Sequence, residues 1–495
     1  MHIRNVITGA LLGAGALAHP LAAQTGCTTV SDPARIGVQG TTLRMAPATY
    51  RISGQRFTTN VYNGSFVAPT LTMRAGERMN LSVVNAMVPN DSQSVQQVAW
   101  TNQHYHGLVV TPRPDGGDNV TNVTINRGDP PRKYDFLVPG FHTEGMFWYH
   151  PHPHGLTNSQ VAGGLSGALM VGSILRYFPQ YAGVKERTLL IRDMSFHIQN
   201  QLLNINGSTC ALLPVAPGEK QLWHIGNFGS NNFINLKLDG MRWTLLALDG
   251  NPLARVEEVD SLFIPPGSRA EVIVTGPAAG RRVRLYSAPF LTGPDTAITM
   301  GYMVGAGRPS LRSIIQPAGL DKSVVDTIHF LSRAADVRKL TFRYTFTTDS
   351  ATVNDTIYAP NHLPVNVPWG QVQEWTIVNT TQFPHTFHIH QTDFLVTTVN
   401  GRPANEGRLR DNVAIGVHQV AVRDSTGKVT QQTVGDTVTV RFVFEPIAAG
   451  PFVFHCHVLQ HEDEGMMHNV CVYDPRDPDG QNKCNAYFSG NAHIH

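Results

Sequence analysis

One pattern that occurs three times in the 495 residues limits the possible architectures more than any other feature. A glycine is followed nine residues later by an asparagine, with a strand-like run between them, at Gly76 and Asn85, Gly218 and Asn227, and Gly370 and Asn379. The copies are separated by about 150 residues, a period far longer than that of a solenoid repeat. The chain is therefore predicted to contain three copies of one β domain.

Short alternating segments support this prediction. In residues 78–83 and 438–444, apolar side chains alternate with polar or charged ones. Alternation with a period of two indicates antiparallel strands with one buried face. The 45 glycines and 32 prolines interrupt the chain often, and long amphipathic helical patterns are scarce. The predicted fold class is therefore all-β, built from sandwiches or barrels.

The domain limits follow from the repeat and from the N-terminal composition. Arg4 precedes an apolar run from Val6 to Ala18 and the small pair Ala22-Ala23. This pattern is typical of a secretory signal peptide and predicts a secreted or periplasmic protein. We place the signal peptide at residues 1–23, the three β domains at residues 40–175, 176–320 and 321–480, and a polar C-terminal tail at residues 481–495.

Charge and hydropathy exclude several classes of partner. The net charge is +2 and charges of both signs are interspersed, so neither nucleic acid nor an anionic membrane surface is an expected partner. No run after the signal peptide is long and apolar enough to cross a bilayer. We expect a monomer that acts on small molecules.

Four of the five cysteines are candidates for disulfides. Cys27, Cys210, Cys471 and Cys484 allow three connectivities in an oxidising compartment. A bridge between Cys471 and Cys484 is favoured; it would close a short loop and stabilise the protein by about 3 kcal/mol in the chain-entropy model. The alternative is that Cys471, which lies in an apolar run, is a buried free thiol.

The fifth cysteine lies in His455-Cys456-His457, with His461 and Met466 at fixed distances after it. A thiolate, an imidazole five residues on and a thioether ten residues on are three ligands of a blue-copper centre. In a β-strand Cys456 must point to the opposite face from its two neighbours. One segment would then touch two copper sites, which suits electron transfer from a one-electron site to a multicopper site.

Three further His-x-His pairs occur upstream, at His104/His106, His150/His152 and His388/His390. Two of the four pairs fall in the first predicted domain and two in the third. Eight imidazoles from two domains imply a metal cluster at their interface. The corresponding positions of the middle domain hold Leu236 and Leu238. The middle domain is therefore predicted to bind no copper and to act as a structural spacer.

These motifs resemble those of the multicopper oxidases, and among them the three-domain bacterial laccases. The matching stretches are His104-Tyr105-His106-Gly107, Trp148-Tyr149-His150-Pro151-His152, His385-Thr386-Phe387-His388-Ile389-His390, and His455 through Met467. The resemblance extends over most of residues 40–475. It implies three cupredoxin-like domains, each a Greek-key β-sandwich or barrel.

The resemblance also implies four copper ions and a set of ligands for each. Type 1 copper would be held by His385, Cys456, His461 and, as a weak axial ligand, Met466. Type 2 copper would be held by His104 and His388. The type 3 pair would be held by two triplets of histidines, which are His106, His150 and His457 for one ion and His152, His390 and His455 for the other.

Two carboxylates match acidic residues that lie near the copper cluster in relatives. Asp115, eleven residues after His104, would lie near the type 2 copper. Glu462, which follows His461, would lie near the type 3 pair. Both are predicted to deliver protons to reduced oxygen.

The predicted function is that of a laccase-like oxidase. It would oxidise phenols or aromatic amines by one electron at the type 1 copper and reduce O2 to water at the three-copper cluster. One alternative is a cuprous oxidase that converts Cu(I) to Cu(II) for copper tolerance; the 13 methionines are scattered and form no methionine-rich segment. A second alternative is a non-catalytic copper-binding protein, although the set of expected ligands is complete.

Overall fold

The computed structural model describes residues 26–52, 55–89, 94–195, 201–290, 296–310, 322–346, 350–404, 407–423 and 428–489. The predicted signal peptide at residues 1–23 lies outside the described residues. Strands dominate the described part of the chain, and the helices are few and short. The prediction of an all-β fold is therefore confirmed.

The strands from Arg35 to Val171 form the first unit, called the N-terminal unit below. The strands up to this point are β1 (Thr28–Thr29), β2 (Arg35–Gly37), β3 (Thr41–Ile52), β4 (Gln55–Tyr62), β5 (Thr70–Met73), β6 (Arg78–Asn85), β7 (Trp100–Thr101), β8 (His104–His106), β9 (Ile125–Asn126), β10 (Arg132–Leu137), β11 (Gly145–His150) and β12 (Gly167–Val171). The strands β2 to β12 build a four-stranded sheet in the order β10-β6-β3-β4, a five-stranded sheet in the order β2-β5-β12-β11-β8, and a small β7-β9 pair.

The strands from Lys185 to Gly305 form the middle unit. They are β13 (Lys185–Ser195), β14 (Gln201–Ile205), β15 (Ala211–Val215), β16 (Lys220–Asn227), β17 (Ile234–Leu238), β18 (Trp243–Leu248), β19 (Asn251–Val259), β20 (Leu262–Ile264), β21 (Arg269–Thr275), β22 (Arg282–Ser287) and β23 (Ile298–Gly305). One six-stranded sheet has the order β14-β13-β16-β21-β18-β19. The other has the order β1-β15-β23-β22-β17-β20, so the first strand of the chain joins the middle unit.

The strands from Arg338 to Tyr473 form the C-terminal unit. They are β24 (Arg338–Phe346), β25 (Ala351–Val353), β26 (Val365–Pro368), β27 (Gln373–Asn379), β28 (His385–Ile389), β29 (Phe394–Val399), β30 (Arg402–Pro403), β31 (Leu409–Arg410), β32 (Asn412–Ile415), β33 (Val417–Arg423), β34 (Val429–Gly435), β35 (Thr437–Phe442), β36 (Gly450–Cys456) and β37 (Met467–Tyr473). A seven-stranded sheet, β25-β24-β27-β35-β29-β30 with β31 beside β29, faces the five-stranded sheet β26-β37-β36-β28-β32. The β33-β34 hairpin forms a separate two-stranded ribbon.

The helices connect and cover these sheets. They are α1 (Val95–Ala99), α2 (Thr157–Ala162), α3 (Lys322–Arg333), α4 (Leu459–Asp463) and α5 (Gly480–Ser489), with single 3-10 turns at Ile174–Arg176, Pro179–Tyr181 and Pro446–Ala448. Among the described residues, no helix is both long and apolar enough to span a membrane.

Each unit encloses its own apolar core between two sheets. Leu81 of β6 and Leu169 of β12 share one buried cluster in the N-terminal unit. Ile225 and Leu285 do so in the middle unit, and Ile377 joins a third cluster in the C-terminal unit. These three cores support the proposed domains at residues 40–175, 176–320 and 321–480.

The threefold glycine–asparagine pattern has a common structural cause. All three glycines have positive φ, with values of 85°, 73° and 79° for Gly76, Gly218 and Gly370, a conformation that a side chain disfavours. Each asparagine ends the strand that follows, and its side-chain oxygen accepts a hydrogen bond from the backbone two residues on. The repeat therefore marks the turn before and the turn after one equivalent strand in each unit.

Two disulfides tie down the ends of the described chain. Cys471 is bonded to Cys484, as predicted, and Cys27 is bonded to Cys210. The segment predicted as a C-terminal tail differs from expectation, because α5 occupies most of it. Cys484 and Phe488 are buried against β37, so this helix is held by the disulfide and by an apolar contact that the polar composition does not reveal.

Candidate copper centres

The C-terminal unit places its ligand motifs on two adjacent strands. β28 and β36 are antiparallel, with His388 opposite His455 and Phe387 opposite Cys456. Because successive side chains of a strand point to opposite faces, His455 and Cys456 lie on different sides of the sheet. His455 contacts other histidines, whereas Cys456 lies inside the apolar core of the unit.

The N-terminal unit repeats this arrangement. β8 and β11 are antiparallel, and His104 lies opposite His150. Tyr105 and Tyr149 face the other side of the sheet and join the apolar core. The alternation of histidine and tyrosine thus sends the imidazoles outwards to the interface with the C-terminal unit.

Eight histidines meet at that interface, and we call them the histidine cluster: His104, His106, His150, His152, His388, His390, His455 and His457. All eight are almost completely buried. The Nε2 atom of His455 lies 3.1 Å from that of His152 and 3.3 Å from that of His390. The rings of His104 and His390 stack with centroids 3.9 Å apart, as do those of His106 and His388. The structure therefore brings together all eight histidines predicted for the three-copper cluster.

Hydrogen bonds decide which ring nitrogen points into the cluster. The Nδ1 atom of His104 lies 3.1 Å from Asp118, that of His388 is bonded to the Asp411 carbonyl at 2.8 Å, and that of His150 is bonded to the Pro151 carbonyl at 2.8 Å. In these three rings Nε2 has no hydrogen-bond partner among the described residues. Buried nitrogens without partners are costly in the absence of a ligand, so this donor set fits bound metal.

His106 is oriented the other way. Its Nε2 lies 2.9 Å from the Asn412 amide and 3.3 Å from Asp411. Its Nδ1 is buried and has no partner within the described parts of the chain. His106 therefore offers Nδ1 to the cluster, whereas His104 offers Nε2.

Burial favours the neutral form of seven of these imidazoles. It lowers the pKa of His150 to about 3 and that of His152 to about 4, and it holds the pKa of the other shifted cluster histidines well below the usual value. Neighbouring histidines lower these pKa values further because each added positive charge would repel the next. Neutral imidazole is the form that binds metal.

A second group of predicted ligands lies on the other side of β36. The Sγ atom of Cys456 is 3.6 Å from His385 Nδ1 and 3.7 Å from His461 Nδ1, and the two nitrogens are 3.2 Å apart. The Thr381 hydroxyl bonds His385 Nε2 at 2.8 Å, which leaves Nδ1 facing the sulfur. Met466 is buried in the same core, and its carbonyl accepts a hydrogen bond from the Cys456 amide at 3.0 Å. We call these four side chains the thiolate site.

Burial also raises the pKa of the Cys456 thiol to about 12. The thiol is therefore protonated near neutral pH unless a cation binds beside it. A coordinated thiol loses its proton outright. One thiol, two imidazoles and a thioether are the donors that copper prefers among the common metals.

The two predicted carboxylates differ in their positions. Glu462 is buried, with Oε2 3.0 Å from His455 Nδ1 and Oε1 3.4 Å from His152 Nδ1. Burial alone would raise its pKa, but the electrostatic attraction of the nearby His152 and His455 rings and hydrogen bonds from His455 and Thr157 lower the pKa of Glu462 well below its usual value. The structure thus places Glu462 beside the cluster.

Asp115 does not lie at the cluster, and the prediction of its position was wrong. Its side chain is exposed and lines a surface groove with Asp129 and Asp135. Asp118, three residues later, is the buried acid that contacts His104. The Gly116-Gly117 turn, closed by a hydrogen bond from Gly117 to Arg113, reverses the chain and turns Asp115 outwards. Counting residues from His104 could not reveal this turn.

Asp118 is one of several supporting residues that the motifs did not identify. Burial raises its pKa to about 8, and hydrogen bonds from Tyr105 and Gln391 offset part of that rise. Asp411 forms a paired salt bridge with Arg269 of the middle unit, with both N–O distances 2.8 Å. The contacts of Asp118 with Gln391 and of Asp411 with Arg269 join residues 273 and 142 positions apart, so no local pattern indicates them.

A cleft of about 430 Å³ opens beside His461, which lies in α4 at the thiolate site. Its aromatic wall contains Phe233, Phe290 and Phe383. Asn231 and Gln460 supply polar groups. The cleft can therefore admit an organic molecule of one or two rings to the partly exposed edge of His461.

Comparison with known proteins agrees with this geometry. Residues 44–174, 148–297 and 332–476 match three sequence models, each described as multicopper oxidase. A multicopper oxidase of Staphylococcus haemolyticus is 24% identical over 434 residues, covering 83% of each chain. The laccase of Bacillus subtilis is 22% identical over 487 residues, covering 84% of this chain and 90% of the laccase.

The fold is shared with solved structures. A multicopper oxidase from Campylobacter jejuni, described as a metallo-oxidase, superimposes with a TM-score of 0.73 at 20% identity, covering 91% of this chain and 96% of that one. A multicopper oxidase from Pediococcus acidilactici gives a TM-score of 0.74 at 20% identity, covering 91% and 93%. The cupredoxin-like architecture is thereby confirmed. The three sequence matches together span most of the chain, which belongs to the multicopper oxidase family and is an oxidoreductase of that family.

Proposed function

We propose that the chain is a laccase-like oxidase that couples one-electron oxidation of phenols or aromatic amines to reduction of O2 to water. One observation carries this proposal. Cys456 belongs to the thiolate site, while its neighbours His455 and His457 belong to the histidine cluster. One peptide bond therefore joins Cys456, in a one-electron site, to each neighbouring histidine of a site with enough ligands for three metal ions.

The proposed ligands are those that the two groups contain. The thiolate site would hold type 1 copper through His385, Cys456, His461 and Met466. The histidine cluster would hold type 2 copper through His104 and His388, and the type 3 pair through His106, His150 and His457 and through His152, His390 and His455. The convergence of His152, His390 and His455 supports the last triplet. When bound, the copper ions would supply the electron transfer and the oxygen chemistry.

The protein's own side chains would hold the ligands in position and supply protons. Because the histidine cluster is buried, nearby side chains would carry protons to it. Glu462 lies between His152 and His455, and Asp118 lies against His104. Glu462, whose pKa lies below its usual value, is placed to accept a proton and pass it on, whereas Asp118, whose pKa burial raises to about 8, is placed to hold one. Asp118 would therefore have the proton-delivering role that was predicted for Asp115.

The cleft beside His461 supports an aromatic substrate. Phe233 and Phe290 have ring centroids 5.7 Å apart and present apolar surface to it. Among the described lining residues there is no carboxylate and no thioether, the groups that would attract Cu(I) or another cation. A neutral aromatic molecule fits this lining better than a metal ion does.

Oxidation of Cu(I) is the second candidate function. The observation that favours it is the similarity of the fold to a structure described as a metallo-oxidase. The scattered methionines and the uncharged cleft are evidence against Cu(I) oxidation.

Two disulfides, Cys27–Cys210 and Cys471–Cys484, support the proposal that the protein is secreted or periplasmic, because disulfides persist in an oxidising compartment.

Oxygen uptake with a phenol, an aromatic amine and Cu(I) tests the proposal. Copper-loaded protein should oxidise the phenol and the amine, consume one O2 per about four electrons and release no hydrogen peroxide. Phe290→Ala should raise KM for the phenol by up to about tenfold, because an aromatic contact is lost, and should leave Cu(I) oxidation unchanged. Phe330→Ala, at an exposed phenylalanine of α3, is the matched control. Turnover of Cu(I) alone would favour the second candidate.

A further inference from the structure

Gln391 has an unusual backbone. It follows His390 directly and is 2% exposed, and its φ is +65°. Among the described residues, every other non-glycine residue with positive φ is asparagine or aspartate. Those two residue types tolerate the left-handed region, whereas glutamine does so rarely. Strained backbone of this kind persists where the surrounding structure fixes it, often at functional sites.

The side chain of Gln391 spans the interface between two units. Its Oε1 accepts a hydrogen bond from the Val110 amide at 2.9 Å, and its Nε2 donates to Asp118 Oδ2 at 3.2 Å. Both partners belong to the N-terminal unit, although Gln391 belongs to the C-terminal unit. Because both ends of the amide are used, its orientation is fixed.

Asp118 connects Gln391 to a proposed copper ligand, His104. The carboxylate also accepts from the Tyr105 amide at 3.0 Å and lies 3.1 Å from His104 Nδ1. That contact holds the proton of His104 on Nδ1 and leaves Nε2 facing the cluster. A partner of this kind orients a metal-binding histidine and raises its basicity.

We propose that Gln391 is a positioning residue for the type 2 copper. It holds Asp118 against His104 across the interface, so that docking of the C-terminal unit sets the ring nitrogen that the N-terminal unit offers. This inference rests on the proposed copper function of the same site. The left-handed backbone is the conformation that lets the residue after His390 turn back towards Asp118.

Two substitutions distinguish the role of the Gln391 side-chain amide from that of its backbone conformation. Gln391→Met keeps the volume of the side chain and removes both hydrogen bonds. Gln391→Gly removes the side chain and makes the left-handed conformation easy. If Gln391 positions Asp118, both variants should weaken retention of type 2 copper by about 10- to 100-fold, the usual effect of losing such a partner. The blue type 1 absorption should be unchanged in both.

Retention is measured by titrating copper-loaded protein with a chelator while the type 2 electron paramagnetic resonance signal and the blue absorption are recorded. Gln373→Met, at a buried glutamine bonded only within the C-terminal unit in the described structure, is the control and should retain type 2 copper. If Gln391→Met fails to fold, the retention of type 2 copper in Gln391→Gly tests the inference. Wild-type retention in Gln391→Gly would overturn the inference. Absence of a type 2 signal in the wild type would instead overturn the proposed function.

Discussion

At the scale of single residues, the environment of each ligand decides what it offers to a metal. His104 presents Nε2 because Asp118 occupies its Nδ1, and His106 presents Nδ1 because Asp411 and Asn412 occupy its Nε2. The sequence motifs predict that these histidines meet. They do not predict which nitrogen faces inwards, because the partners come from distant loops.

Cys456 gives the simplest test at this scale. Replacing it in Cys456→Ser should abolish the blue absorption and substrate oxidation, because a hydroxyl cannot replace a soft thiolate as a copper ligand. The histidine cluster should keep its copper, since the side chain of Cys456 faces the apolar core of the C-terminal unit. Visible absorption and copper analysis measure the two effects. A variant that stays blue would show that another group is the ligand.

Asp118 and Asp115 form a matched pair for the second test. Asp118→Asn should lower kcat by about 10- to 100-fold and alter the type 2 signal, because the amide cannot accept from His104 as the carboxylate does. Asp115→Asn should behave as wild type because that side chain is exposed. Steady-state kinetics on both variants, at equal copper loading, gives the answer. A loss in Asp115→Asn with none in Asp118→Asn would restore the original assignment.

At the scale of elements, β36 and α4 together carry ligands to both sites. The alternation of His455 and Cys456 could be predicted from the sequence, because they occupy the last two positions of the buried strand β36 and His457 follows that strand directly. The conformations of the loops could not be predicted from the sequence. The turn after Asp115 and the helix α5 both have contacts outside their own segments, namely a hydrogen bond from the Asp135 amide to the Gly116 carbonyl at 2.8 Å and the Cys471–Cys484 disulfide.

A loop of the middle unit supports α4 and depends on one buried acid. Asp193 accepts hydrogen bonds from the backbone amides of Ser230, Asn231 and Asn232. Asn231 in turn accepts from the Gln460 amide at 3.2 Å, next to His461. The loop therefore forms part of the cleft wall and positions the helix that bears a proposed ligand.

Asp193→Asn should loosen this loop, because an amide nitrogen would face backbone donors. We expect a destabilisation of about 1–3 kcal/mol and a rise of several-fold in KM for a phenol, with the blue absorption retained. Thermal unfolding and steady-state kinetics measure these effects. Asp239→Asn, at an exposed aspartate of the same unit, is the control. An unchanged KM would show that the loop does not shape the cleft.

At the scale of the whole molecule, the middle unit contributes more than spacing. Within the described residues the clustered metal-binding side chains belong to the other two units, and Leu236 and Leu238 lie in the apolar core of the middle unit. Its Arg269 nevertheless reaches Asp411, which supports His106 and His388. A side chain on Gly107 would collide with this ion pair. The repeat predicts three units, but such contacts between units are invisible in the sequence.

The middle unit also contains a buried ionic group that makes stability depend on pH. Burial alone would lower the pKa of His224, but hydrogen bonds to Glu186 and Glu271 raise it to about 9. The folded pKa is thus above the unfolded value of about 6.5. The resulting stabilisation, on the order of 3 kcal/mol, is complete below about pH 6.5 and is lost as the pH rises through about 9.

His224→Gln removes this dependence. Its melting temperature should lie well below that of the wild type at pH 6.5, and the gap should shrink as the pH rises through about 9, where the wild-type imidazole loses its proton. Thermal unfolding of both proteins at the same copper content gives the gap at each pH. A gap that is constant from pH 6 to pH 10 would show that His224 is not charged in the folded protein.

The central claim is that one chain holds a thiolate site and a three-copper cluster joined through His455-Cys456-His457. Copper per chain in a fully active sample, measured together with the electron paramagnetic resonance spectrum, tests it most directly. The predicted result is about four copper ions per chain, of which about half give a signal because the type 3 pair is magnetically coupled. Full activity with only one or two copper ions per chain would contradict the claim.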